Sequence, residues 1–240
     1  YEIYQCDWEF RRVLFRSQLA AWEHSKKVFD EKPETPRPFI TISREYGCNA
    51  TEISSLLADK LNAMEKTEDW NSYDKELINK IVEDHNISEK LIETIDTVKR
   101  DEMNELMRTM LTDYPPQVTV YKKLVKTIRS LSIHGKAIIV GRAGVVITRG
   151  LKNGLHVKLV APLPYRVHKI MELTGIKDKL EAEKLVEKKD KERHDFLTQY
   201  IKFPAYEASS YDLTINISRF SGDEVAGLII GALQARNLVK

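Results

Sequence analysis

Cysteine is nearly missing from this chain, with 2 in 240 residues. Cys6 and Cys48 show no metal-ligand spacing, which argues against a disulfide framework and against a cysteine zinc site. An excess of one charge is missing too. Lys and Arg number 38 against 36 for Asp and Glu, a net charge of +2, and the two signs are mixed, so nothing global points to nucleic acid. No apolar run is long enough to span a bilayer, and no signal-peptide core is visible. The expectation is a cytoplasmic protein with no membrane partner and a monomer as the default oligomeric state.

What is present suffices for a full core: 42% of the 240 residues are apolar, enough for one large domain with or without an appendage. Residues 1–29 scatter Phe10, Val13, Leu14, Leu19, Trp22, Val28 and Phe29 among Arg and Lys, a basic amphipathic pattern. Asp30 to Pro38 holds three prolines and reads as an extended linker. Residues 1–37 are therefore set apart as an N-terminal extension, and the domain is expected over 38–240.

The domain opens with a short apolar strand, Phe39 to Ile42, a polar turn, and a helix with Ile53, Leu56, Leu57, Leu61 and Met64 on one face. A strand running through a tight turn into a helix gathers backbone N–H groups and the positive end of a helix dipole at one spot, which suits a phosphate. Asn49-Ala-Thr-Glu52 also has the form of a capping box. That alone accounts for a polar turn without a ligand, and the residues by themselves leave both readings open. Further on, Asp74 can cap a helix starting at Lys75, and residues 75–134 read as helical, closed by Gly135 at a C-cap position. Ala137 to Val140 suits a strand buried on both faces of a parallel sheet. Arg142 follows it, flanked by Gly141 and by Ala143-Gly144, at the strand's carboxyl end, where open α/β sheets bind ligands and where an arginine fork suits phosphate. Leu155 to Val160 is the next strand. Gly175 to Lys191 is mostly a solvated helix face. Asp190 and Arg193 share one side of it, as an i,i+3 ion pair would. A last helix, 221–240, is expected to bury Val225, Leu228, Ile229 and Leu233.

Separated segments, in order, resemble the cytidylate-kinase-like family of P-loop kinases. Ser43-Arg44-Glu45-Tyr46-Gly47 followed by Glu52-Ile53 resembles the family's phosphate loop. Cys48, Asn49, Ala50 and Thr51 stand where Ser-Gly-Gly-Arg is usual, so the loop's cation is missing, and the Gly-Lys-Ser/Thr of the general Walker pattern is absent. Tyr73-Asp74-Lys75-Glu76-Leu77-Ile78 resembles its Tyr-Asp-x-Glu-Leu-Ile segment. Val140-Gly141-Arg142 is similar to its Val-Gly-Arg, Asp190-Lys-Glu-Arg193 to the Asp-x-x-Arg of its lid, and Tyr211 to Asn216 to its last core strand. The resemblance implies a three-layer α/β P-loop kinase fold with a parallel sheet, a helical acceptor-binding insertion (about 75–134) and a lid (about 166–205).

It also implies transfer of the ATP γ-phosphate to CMP or dCMP, with Mg2+. By resemblance Arg44, Gly47, Cys48, Asn49, Ala50, Thr51 and Glu52 would bind ATP. Tyr73, Asp74, Arg142, Asp190 and Arg193 would bind the acceptor, with Asp190 on its sugar. Arg142, Arg166, Lys169 and Arg193 would be the catalytic cations and could replace the one lost from the loop. Val140 stands where related kinases often carry an Asp near the metal, so no metal ligand is named. The competing expectation is a nucleotide-binding regulatory protein that keeps the fold with little or no kinase activity. A third is a kinase for another small acceptor.

Overall fold

The computed structural model describes residues 37–83, 118–195, 197 and 207–240. The amphipathic stretch 1–29, the stripe around Leu91 to Leu111 and the end of the expected lid lie outside them. Five strands form one sheet: β1 (Phe39–Arg44), β2 (Asn71–Tyr73), β3 (Ala137–Val140), β4 (Gly154–Val160) and β5 (Leu213–Asn216). Their order is β2-β3-β1-β4-β5, and every neighbouring pair is parallel. Among the described residues seven α-helices accompany them: α1 (Ala50–Glu65), α2 (Lys75–Glu83), α3 (Val118–His134), α4 (Gly144–Ile147), α5 (Leu163–Thr174), α6 (Lys179–Asp195) and α7 (Gly222–Ala235).

The alternation of a strand's side chains divides the core into two layers, one on each side of the sheet. Ile40, Ile42, Ile138, Val140, Leu155 and Val157 pack with Ile53, Leu57 and Leu61 of α1 and Val225, Ile229 and Leu233 of α7. Phe39, Ala137 and Ile139 face the other way, onto Leu77, Ile78 and Ile81 of α2 and Val125, Ile128 and Leu131 of α3. A third, small cluster joins α5 and α6 through Val167, Ile170, Ala182 and Val186, with Tyr46 of the first turn packed against it. These layers place the carboxyl ends of β1 and β3 together, with α6 beside them. The expected three-layer α/β architecture is observed.

Several local expectations are met and others corrected. Gly135 does close α3: its N–H donates to Leu131 O at 3.0 Å, and its φ is +79°. Asp74 does cap α2, its Oδ1 accepting from the amides of Glu76 and Leu77, both at 3.0 Å. The capping box at α1 does not form. Asn49 is left-handed (φ 38°, ψ 40°), not extended as an N-cap must be, and its side-chain amide donates to the Glu52 carboxylate instead. α7 starts from Ser221, which with Glu224 makes the capping box that Asn49 lacks. Leu228, expected inside, is 44% exposed, and Met64, at the end of the apolar face of α1, is 38% exposed. The inward face of α7 is Val225, Ala226, Ile229 and Leu233, and Leu228 sits off that stripe by the 3.6-residue period.

Candidate active site

Past β1 the chain turns through Glu45 to Asn49 into α1. The Tyr46 amide donates to Asp190 Oδ1 at 2.7 Å, and Cys48 N–H to Glu45 O at 3.4 Å. Gly47 has φ +93°. A Cβ there would lie 2.8 Å from the Arg166 carbonyl oxygen, so the turn presses on the first turn of α5 as only glycine permits. No side chain of the N-cap residue satisfies the first-turn amides of α1, which leaves that end of the helix with the electrostatic character that attracts anions.

Cys48 and Ala50, expected among the ATP-binding residues, send their side chains into the core, with 1% and 5% exposure. Only their backbone can meet a ligand. Burial, and then the neighbouring Glu45 carboxylate, pushes the Cys48 thiol up to about 12. It is therefore expected to resist iodoacetamide at pH 8 in the native protein and to react promptly once unfolded. Mass spectrometry of the Cys48 peptide measures this, and prompt native labelling would place the thiol elsewhere.

Beside the turn lies a cleft of about 520 Å³, reached by Arg44 from β1, Val140 to Ala143 from β3, Lys158 from β4, Asp190 and Arg193 from α6, and Tyr211 ahead of β5. Arg142 stands on a bend in which Gly141, Arg142 and Ala143 all have positive φ, at 75°, 53° and 56°. Two non-glycine residues in a row in the left-handed region carry strain of the sort that concentrates at functional sites. The bend aims Arg142 back over α2, where its Nη2 donates to Asn79 Oδ1 at 2.8 Å. The Arg44 guanidinium lies against Gly141, close enough that a Cβ there would be 1.9 Å from Arg44 Nη1. Arg193 sits 5.1 Å over the Tyr46 ring and 3.9 Å from Asp190 Oδ1.

The arrangement gathers several positive charges away from water. Burial first, then the positive charges of Arg193 and Arg142, pull Arg44 down to about 10. Burial also lowers Arg142 and Arg193, against the pull of Asp74 and Asp190 respectively. Arg142 Nε and Arg193 Nη1 are hidden from solvent without a hydrogen-bond partner among the described residues. Buried donors without partners are rare in folded proteins.

The structure thus brings together Arg44, Arg142, Arg166, Asp190 and Arg193, but not in equal roles. Arg166 is 9% exposed. Its Nε donates to Ala161 O at 2.9 Å and its Nη1 to Tyr46 O at 3.2 Å and to the Asp190 carboxylate. It holds the scaffold with most of its donors. Lys169 pairs with Glu172 at 2.7 Å on the outer side of α5 and does not line the cleft. Tyr73 is 2% exposed, in the core layer with Phe39 and Leu77. Asp74 is the α2 cap described above. Asn49, Thr51 and Glu52 lie at the start of α1, outside the cleft's lining. Among the described residues no group of three His, Cys, Asp or Glu is placed to hold a metal ion, and no helix is long and apolar enough to cross a membrane.

Lys158 and Tyr211, read from the sequence only as parts of strand segments, also line the cleft. Lys158 Nζ lies 5.2 Å from the Tyr211 ring centroid. Burial lowers the lysine and raises the tyrosine, whose hydroxyl bonds Ser43. The one available signal was a lysine on a strand otherwise apolar at alternate positions.

A family model described as the cytidylate kinase-like family matches residues 39–219. Among solved structures, an uncharacterized protein from Eubacterium ventriosum ATCC 27560 is 20% identical with a TM-score of 0.65, covering 83% of this chain and 99% of that one. A shikimate kinase from Bacteroides thetaiotaomicron is 10% identical with a TM-score of 0.46, covering 82% of this chain and 98% of its own. Among curated proteins, a uronate isomerase from Corynebacterium glutamicum is 26% identical over 93 residues, 39% of this chain. The chain covers 18% of that curated relative's length.

Proposed function

The chain belongs to the cytidylate kinase-like family, and from that premise we propose that it is an ATP-dependent kinase that phosphorylates CMP or dCMP to the diphosphate. One observation carries the reading. Arg44, Arg142 and Arg193 line a single cleft at the carboxyl ends of the central strands, and two of their buried donors have no partner among the described residues. A phosphate there offsets the mutual repulsion of the three guanidinium groups.

Phosphoryl transfer needs little covalent help from the protein. It needs alignment and fixed positive charge on the equatorial oxygens. On this reading Arg142 and Arg193 hold the acceptor's phosphate, whose oxygen attacks the γ-phosphorus as the bond to ADP breaks. Arg44, on the strand that feeds the turn, takes the place of the cation the turn lacks. The turn and the open end of α1 receive the donor's phosphates. Mg2+ would supply charge neutralisation on those phosphates. It commonly binds through the substrate's phosphates and one or two carboxylates, and the described residues offer no ready-made cage for it. The chain's own part therefore rests on its arginines.

A second reading, a nucleotide-binding regulatory protein with little turnover, is favoured by the turn itself. It has no cationic side chain between Tyr46 and Glu52, and its Tyr46 amide is already bonded to Asp190. Loss of one preorganised electrostatic donor costs roughly a hundred- to a thousandfold in rate. Thermal-shift titration with ATP, CMP, dCMP, UMP and AMP, run beside a coupled ADP-release assay, separates the two. We expect ADP release that depends on CMP or dCMP. Stabilisation by nucleotides without ADP release would favour the second reading.

A further inference from the structure

The Tyr46 backbone is gripped on both sides of its Cα. Its N–H donates to Asp190 Oδ1 at 2.7 Å, and its carbonyl accepts from Arg166 Nη1 at 3.2 Å. The two gripping side chains are themselves ion-paired, so a closed ring runs from the amide through Asp190 and Arg166 back to the carbonyl. Arg166 is anchored in turn. Its Nε bonds Ala161 O at 2.9 Å and lies 3.3 Å from Glu45 Oε2, and Glu45 Oε2 accepts the Ala161 amide at 3.0 Å. The next residue, Gly47, is pressed onto the Arg166 backbone. Every charge-assisted contact in this ring restricts how the turn can lie.

We propose that Asp190 and Arg166 are positioning residues for the phosphate turn. They fix the Tyr46–Gly47 backbone, and so act on the donor nucleotide through it rather than by touching the acceptor's sugar. The Tyr46 ring itself lies beneath Arg193, 5.1 Å from its guanidinium. A turn with Cys48, Asn49, Ala50 and Thr51 in its second half takes its shape from this clamp across the chain. The inference rests on the reading that residues 45–52 receive the donor's phosphates.

The test uses the full chain with Asp190→Ala. Isothermal titration gives ATP and CMP affinities, and hydrogen–deuterium exchange follows the backbone of residues 43–53. The expected result is at least tenfold faster exchange at Tyr46 and Gly47 and at least tenfold weaker ATP binding, with CMP binding within threefold of wild type. Because Asp190→Ala takes one of two carboxylate partners from the buried Arg166 and can harm the fold, Asp190→Ala with Arg166→Met removes both charges and is expected to show the same split. Weakened CMP binding with unchanged ATP binding and unchanged exchange would assign Asp190 to the acceptor and overturn the clamp. ATP binding that is present in wild type and undiminished in both variants overturns the inference alone. Wild-type protein that binds no ATP overturns the phosphate-turn reading, and this inference with it.

Discussion

Arg142→Ala and Arg193→Ala each lower kcat/KM for the acceptor nucleotide by roughly a hundred- to a thousandfold, equivalent to about 2.7–4 kcal/mol of transition-state stabilisation. The size follows from where the charges sit. Both guanidinium groups are held below their ordinary pKa by burial, so a phosphate that joins them interacts in a medium far less screening than water. The folded protein should not suffer in proportion. Arg142 and Arg193 both depress Arg44, and each brings a buried donor without a partner among the described residues. Removing either relieves repulsion on Arg44. Melting temperatures are therefore expected to hold or rise while activity falls. Lys184→Ala, on the exposed face of α6 and outside the cleft, stays within about twofold of wild type, since exposed charges contribute little. Steady-state kinetics and thermal melts on the three variants decide the matter, and equal activity in all three would defeat the assignment of the cleft.

Gly47→Ala is expected to cost ATP affinity about tenfold or more, with a melting temperature lower by several degrees. Two effects add. The left-handed φ of +93° costs an L-residue about 1–2 kcal/mol. The new methyl would also lie 2.8 Å from the carbonyl oxygen and 2.9 Å from the Cβ of Arg166. These atoms belong to the frame of α5 and cannot swing aside as the end of a long side chain can. Either the turn lifts away or α5 shifts, and both disturb the Tyr46 peptide that Arg166 holds. Gly150→Ala supplies the comparison, because Gly150 has nearly the same φ, +91°, with nothing within 4 Å of its would-be Cβ. It measures the backbone cost alone. Calorimetric ATP binding and melts on both variants test the argument. If Gly47→Ala proves no worse than Gly150→Ala, the close approach to Arg166 does not matter.

Much of the frame was legible because its signals are local. Phe39 to Ile42 and Ala137 to Val140 read as buried strands and are β1 and β3, paired directly through Phe39 with Ala137 and Ile40 with Ile138. The cap at Asp74 and the glycine stop at Gly135 were also readable, since each depends on residues within a few positions. Where the local signal misled, a neighbour in space had intervened. Asn49-Ala-Thr-Glu52 has the right letters for a capping box, yet the turn pressed against α5 puts Asn49 in a conformation that cannot cap.

The residues alone determined the strands β1, β3 and β4, the helix that follows β1, the closing helix and the carriage of an arginine at the end of β3, because periodicity, caps and glycine stops act over a turn or two of chain. Which cations face the cleft, and which are used up within the scaffold, was settled only by folding. Arg166 meets the Tyr46 carbonyl across 120 positions and Asp190 meets its amide across 144. A guanidinium's donors are satisfied by whatever the fold brings within about 3 Å of them. Arg166 and Arg193 look alike as letters and both line the cleft, and distance in space is what commits most of the donors of Arg166 to the scaffold.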